Sequence, residues 1–248
     1  MLRIGVDVGG TNTDAVVMDA ETVISGTKSP TTNDILSGVE NSILSALTKA
    51  NKKPDDIQAL IIGTTHFVNA IVQRKNLAKT GLIRLSLPSG GSILPFADWP
   101  KELIKSLNGK YKLVNGGYEM DGTEISKLDE KEILNALKEL QNLGCNEIAI
   151  SSVFATVRGD MEQAAYDIIK KHSPNTNVSL SKNIGGMGLL ERENAALINA
   201  TLKPLAKEVV ESFEEFKSKL NFKCSMFFTK NDGTLIQSSE VIELPVLT

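Results

Sequence analysis

Apolar and polar positions alternate from Leu2 to Val8, and the same character resumes from Ala15 to Met18 after the polar turn Gly9-Gly10-Thr11-Asn12-Thr13. A period of two built largely from β-branched residues predicts a β-hairpin, with a third strand over Thr22–Lys28. The period then lengthens. Ile35, Val39, Ile43 and Leu47 recur every four residues, which predicts a helix from Asn33 to Ala50, and Pro54 enforces its stop. Ile57–Ile62 reads as a buried strand. Thr64 or Thr65 can then cap a helix carrying Val68, Ile71 and Val72.

Lys79–Leu85 is a further predicted strand, after which Pro88, Gly90, Gly91, Pro95 and Pro100 break any regular pattern. The chain is therefore expected to divide into 1–84, an irregular insertion over 85–125 ending in a short hairpin, and 126–248. In the last part, Leu128, Ile133, Leu134, Leu137 and Leu140 form one helical stripe, and Glu147–Phe154 follows as a strand. Gly159–Lys171 reads as helix and Val178–Leu180 as a short strand. Leu189–Leu220 reads as one long helix or two divided at Pro204, and Lys223–Phe228 and Thr234–Val241 as closing strands. A hairpin followed by alternating strands and helices predicts an α/β fold, with a mixed sheet and helices on both faces.

With 248 residues, 41% of them hydrophobic, the chain can bury a substantial core. A net charge of -3 supplies no basic field for nucleic acid or an anionic membrane. No apolar run approaches the roughly 20 residues of a membrane-spanning helix, and MLRIGVDVGG lacks the core and cleavage site of a signal peptide. A cytoplasmic protein with a small-molecule ligand is expected. Cys145 and Cys224, far apart and without metal spacing, are expected to be reduced and structural.

The strongest chemical signal is Gly5-Val6-Asp7-Val8-Gly9-Gly10-Thr11-Asn12-Thr13-Asp14, between two predicted strands. Adjacent glycines let backbone N–H groups approach an anion, because no side chain intervenes. Thr11 and Thr13 add hydroxyls, and Asp7 at the strand end can act on a magnesium ion facing phosphates. The motif is not a P-loop, lacking Gly-Lys-Ser/Thr, nor a dinucleotide fingerprint, since a strand rather than a helix follows it. A plain hairpin turn is the alternative.

Asp7-Val8-Gly9-Gly10-Thr11-Asn12-Thr13-Asp14 resembles the first phosphate loop of the actin, Hsp70 and sugar-kinase superfamily. Four further stretches narrow the resemblance to the hydantoinase/oxoprolinase family: Lys28-Ser29-Pro30-Thr31-Thr32, Gly63-Thr64-Thr65-His66-Phe67-Val68-Asn69-Ala70, the ten residues from Glu191 to Ala200, and Asn231-Asp232-Gly233-Thr234-Leu235. The resemblance implies a ribonuclease H-like, actin-like ATPase lobe that uses ATP and Mg2+. It also implies ATP-dependent cleavage of cyclic amides such as hydantoins or 5-oxoproline, although relatives serve as carboxylase subunits. By the same resemblance, Gly9, Gly10, Thr11, Asn12 and Thr13 hold the γ-phosphate, with Asp7 acting through magnesium or water. In this superfamily ATP lies between two lobes. No second Gly-Gly-Thr loop occurs here, so a second lobe or a partner subunit is expected to complete the site, and the isolated chain is expected to be inactive.

Remaining candidates are read with their structural alternatives. His66 sits at a strand-to-helix junction and is a catalytic candidate or a packing residue; His172 looks solvated. Thr64, Thr65 and Asn69 face substrate or serve the helix cap. Arg192 and Asn194 are lifted toward substrate or a lobe interface by the resemblance, where a charged first helical turn alone implies only dipole compensation. Gly185-Gly186-Met187-Gly188 is an anion nest or a flexible loop, and Asp232-Gly233 a hairpin turn. A non-catalytic binding lobe and a small-molecule kinase are the competing functions, and homo-oligomerisation stays open.

Overall fold

The alternation at the N-terminus folds into β1 (Leu2–Val8) and β2 (Asn12–Asp19), paired antiparallel with Val8 opposite Thr13 and Asp7 opposite Asp14. The computed structural model describes residues 1–9, 11–30 and 35–248; Gly10, Thr31, Thr32 and the expected helix start at Asn33 lie outside them. Along the described chain follow β3 (Thr22–Pro30), α1 (Ile35–Ala50), β4 (Ala59–Thr64), α2 (His66–Gln73) and β5 (Thr80–Leu87). Then come α3 (Lys101–Ser106), β6 (Lys110–Asn115), α4 (Glu130–Asn142), β7 (Glu147–Ser152), α5 (Asp160–His172) and β8 (Asn177–Leu180). The last elements are α6 (Leu189–Lys219), β9 (Ser225–Thr229), β10 (Leu235–Gln237) and α7 (Ser238–Glu243).

These elements sort into two units, one of residues 1–69 and 204–248, the other of residues 70–203. The first carries a six-stranded mixed sheet in the order β10-β9-β4-β1-β2-β3. Its three central strands, β9, β4 and β1, run parallel, while β2, β3 and β10 are antiparallel to their neighbours. Ile4, Val6 and Val8 of β1, Leu60 and Ile62 of β4, and Phe228 of β9 form its buried centre. Phe213 of α6 meets Phe228 edge-on, with ring centroids 5.9 Å apart. Hydroxyls fasten α1 to this sheet: Ser25 donates to the Ala46 carbonyl, Thr27 to that of Ser42, and Ser42 to that of Thr13. Each such bond contributes about 1 kcal/mol and fixes a helix register that greasy packing alone leaves loose.

The second unit has its own four-stranded sheet, all parallel, in the order β6-β5-β7-β8. Its two central strands, β5 and β7, are buried along nearly their whole length because both faces are covered. Ile83, Leu85, Ile148 and Ile150 meet Ile133, Leu137 and Leu140 of α4 and Ile169 of α5 in one cluster. Leu82 and Ala149 join Phe96, Leu107, Ala196, Leu197 and Ala200 in another.

The α/β class and the N-terminal hairpin are as expected, but the strands form two sheets instead of one. Within 85–125, a Tyr118–Glu124 antiparallel bridge supplies the expected short hairpin. The same segment also holds α3 and the parallel edge strand β6, whose lysines at 110 and 112 hid its strand character; charge is tolerated where one edge faces water. Pro204 does not divide the long helix. Burial of Leu202, Leu205 and Ala206 on either side of it outweighs one missing backbone bond. Thr234–Val241 is strand only to Gln237, because a capping box joining Gln237 to Glu240 turns the chain into α7. Cys145 and Cys224 are buried free thiols, as expected. Among the described residues no helix is long and apolar enough to cross a membrane.

Candidate functional site

Parallel strands present their carboxyl ends on a common edge, which is where open α/β sheets place ligands. In the first unit β1, β4 and β9 do so in register, with Asp7 beside Gly63 and Ile62 beside Phe228. Gly63 matters here because it has no side chain. A Cβ at that position would lie 3.3 Å from Asp7 Oδ1 and 3.4 Å from Thr229 Oγ1, so the glycine leaves room for these two polar groups to converge. Asp7 is exposed, and its carboxylate has no hydrogen-bond or ion-pair partner among the described residues. Thr229 donates only a long bond, 3.4 Å, to the Ile62 carbonyl. Sequence reasoning passed over Thr229. Its signal was its place as the last residue of a strand parallel to the Asp7 strand, which needed the sheet order to be seen.

The turn after β1 is closed by the Gly9 amide donating to the Asn12 carbonyl at 3.0 Å, and a Cβ on Gly9 would press on that same oxygen at 3.0 Å. Gly9 thus shapes the turn, and its N–H is already engaged. The threonines of the turn separate: Thr11 is exposed, whereas Thr13 is fully buried opposite Val8, part of the inward face with Ala15 and Val17. Thr13 follows the inward alternation of β2, which removes its hydroxyl from the surface, whereas Thr11 lies in the bend before β2 and is not bound by that alternation. Asn12 is half-buried, and Gly10 lies outside the described residues.

On the neighbouring strand, Thr64 ends β4 and α2 opens two residues later. Thr64 Oγ1 accepts the His66 amide N–H at 3.2 Å and lies 3.2 Å from His66 Nδ1. The ring is half-buried, and loss of water around it lowers its pKa below the ordinary 6.5, so the neutral imidazole is favoured. Thr65 is exposed, and its hydroxyl accepts from the Asn69 side chain at 3.1 Å one turn on. Asp7, Gly9, Thr11, Asn12, Thr64, Thr65, His66 and Asn69 all belong to the first unit.

Arg192 and Asn194 belong to the second unit. Arg192 is 1% exposed, and its guanidinium donates to Ser181 Oγ at 2.9 Å and to the Ser152 carbonyl at 2.6 Å. It also donates to the carbonyls of Gly186, Met187 and Gly188. That loop turns carbonyls toward a cation, the opposite of an anion nest. Asn194 donates to both carboxylate oxygens of Asp98, at 3.1 and 3.0 Å. The hydrogen bonds of both side chains among the described residues are made within this unit. Glu162 completes the group, accepting from Ser181 at 2.6 Å and from the Lys182 amide at 3.0 Å. Arg84 faces Glu193 in a fully buried bidentate pair at 2.7 and 2.6 Å, with Ser151 donating to the same carboxylate at 2.6 Å.

Comparison with known proteins agrees with this architecture. Residues 3–173 match the model of the hydantoinase/oxoprolinase N-terminal region. The chain is 24% identical, over 93% of its length, to the caprolactamase alpha subunit of Pseudomonas jessenii. It is 26% identical, over 98%, to an uncharacterised protein of Methanocaldococcus jannaschii. It spans 36% and 37% of those two relatives. The crystal structure of the ATP-dependent caprolactamase from Pseudomonas jessenii superposes with a TM-score of 0.78 at 22% identity, covering 99% of this chain and 38% of that one. The nucleotide-free structure of acetone carboxylase gives 0.75 at 19%, with the same coverage. The fold is that of the matched parts of these two structures, and the chain belongs to the hydantoinase/oxoprolinase family, whose N-terminal region it carries.

Proposed function

We propose that the chain is the phosphate-facing part of an ATP-dependent enzyme that activates a cyclic amide for opening. The observation that carries this reading is the Asp7 carboxylate: exposed, unpartnered among the described residues, and set at a parallel strand end beside the opening that Gly63 leaves. A carboxylate with no structural duty at such an edge suits a ligand that carries cations or water. Magnesium is held by one or two carboxylates together with substrate phosphates, and a single Asp7 fits that pattern. When bound, ATP supplies the phosphoryl group that converts an amide oxygen into part of a leaving group. Asp7 would hold magnesium or orient its water, and the exposed Thr11 would offer its hydroxyl to a phosphate. Gly9 acts by closing the turn, so among the described residues the direct contacts of this reading fall to Thr11 and Asn12. Thr65, Asn69 and His66 line the approach from α2, and Thr229 adds a hydroxyl beside Asp7. Preorganised donors of this kind act on charge that develops in the transition state.

The relatives named as a caprolactamase subunit and an ATP-dependent caprolactamase support the lactam as substrate class. The acetone carboxylase likeness supports a second reading, in which the activated carbonyl compound is carboxylated. In either case a second lobe or partner subunit supplies the adenosine side. The test is phosphate release by the complete protein with hydantoin, 5-oxoproline and caprolactam, with and without bicarbonate. Ring-opened product formed with one phosphate released supports the first reading. A carboxylated product supports the second, and phosphate retained on the substrate makes the protein a kinase.

A further inference from the structure

The Thr64–His66 contact has more chemical content than a helix cap. Thr64 Oγ1 takes the His66 amide N–H into one lone pair at 3.2 Å, and the same oxygen stands 3.2 Å from Nδ1. A hydroxyl has one proton to give. If Nδ1 carried its own hydrogen, the Thr64 oxygen would accept twice and its proton would be left to solvent; with Nδ1 bare, the amide, the hydroxyl and the ring nitrogen are each matched within the protein. Nε2 has no partner among the described residues.

We propose that Thr64 is a positioning residue that fixes the proton of His66 on Nε2, so that the ring meets its ligand as a hydrogen-bond donor and not as a general base. Burial of the ring, which disfavours the imidazolium, acts in the same direction. The recipient would be an electron-rich oxygen, either the carbonyl of the amide or a phosphoryl oxygen. A neutral N–H aimed at such an oxygen stabilises negative charge there without giving up its proton. This inference rests on the strand-end site of the proposed function for the identity of the recipient, but the tautomer itself does not.

The chain has only two histidines, His66 and His172, so long-range nitrogen–proton NMR on histidine-labelled protein resolves each ring. At neutral pH His66 is expected to show Nδ1 in the unprotonated range and Nε2 in the protonated one. Thr64→Val should shift the ring toward the Nδ1–H form or a mixture, and Thr64→Ser should restore the original pattern. Wild-type protein with Nε2 unprotonated overturns the proposal, as does a Thr64→Val ring identical to wild type. Should Thr64→Val fail to fold, the wild-type and serine spectra still decide the tautomer. No nucleotide or lactam is needed, so a failed phosphate-release assay with the expected tautomer counts against the proposed function alone.

Discussion

Both units of this chain gather polar side chains near the carboxyl ends of parallel strands, yet they treat them in opposite ways. In the second unit Arg84, Glu193, Ser151, Arg192, Ser181 and Glu162 are buried and bonded to one another. In the first, Asp7, Thr11 and Thr65 are exposed, and His66 and Thr229 are half-buried. Buried charges persist only when matched, since an isolated one costs several kcal/mol. The second unit therefore uses these groups to specify its own packing, while in the first Asp7 and Thr11 have no such partner among the described residues. Residue type alone does not distinguish these uses; the state of satisfaction does.

The largest expected effect strikes the internally matched side. Arg84→Met leaves Glu193 buried with Ser151 as its remaining side-chain donor, and urea unfolding should report a loss of about 3–5 kcal/mol. Exchanging both partners for apolar residues should recover most of it. A loss no larger than the roughly 0.5 kcal/mol of a surface change would erase the contrast between the units.

Asp7→Asn tests the open side. Stability should stay within about 0.5 kcal/mol of wild type, because the carboxylate bonds to nothing among the described residues. Lactam-dependent phosphate release by the complete protein should fall about 10²–10³-fold. The reverse outcome, lost stability with activity kept, would make Asp7 structural.

Gly63→Ala sits between the two regimes. Its methyl group must displace Asp7 Oδ1 or Thr229 Oγ1 by a few tenths of an ångström, which predicts a loss of about 1 kcal/mol. The accompanying drop in activity should be about tenfold, below the roughly 10²-fold of a 1 Å misplacement. Full activity would remove Gly63 from the account.

The smallest effect concerns acidity. His66 ionises below its ordinary 6.5 because the ring is desolvated, so folding favours the neutral form. That contribution is complete above pH 6.5 and is lost as pH falls through the lowered value. His66→Gln should accordingly show a smaller fall in unfolding midpoint than wild type between about pH 7.5 and about pH 5.5. Equal falls would indicate that the ring is not desolvated in solution.

Much of the fold was legible because hydrophobic period reports local structure directly. The β1–β2 hairpin, α1, α4 and α5 follow from it. The division of strands into two sheets was not legible, since pairing partners depend on chain reversals that no local period encodes. The site shows the same divide. Asp7, Thr64 and His66 stand out by type and by position at strand ends. The inward aim of Thr13 depends on where β2 begins, the engaged amide of Gly9 on the turn's closure, and the contribution of Thr229 on the neighbour that β9 chooses. Arg192 illustrates the converse: a conspicuous charge whose partners are five oxygen atoms of its own unit.

The two cysteines have a practical corollary. Cys145 and Cys224 are 0% and 8% exposed, and burial pushes both thiols above their ordinary pKa, away from the reactive thiolate. The native chain is thus nearly silent toward thiol-directed dyes. A fluorophore carried by Thr11→Cys would meet little background label, turning the outer lip of the first turn into a probe of the proposed nucleotide site.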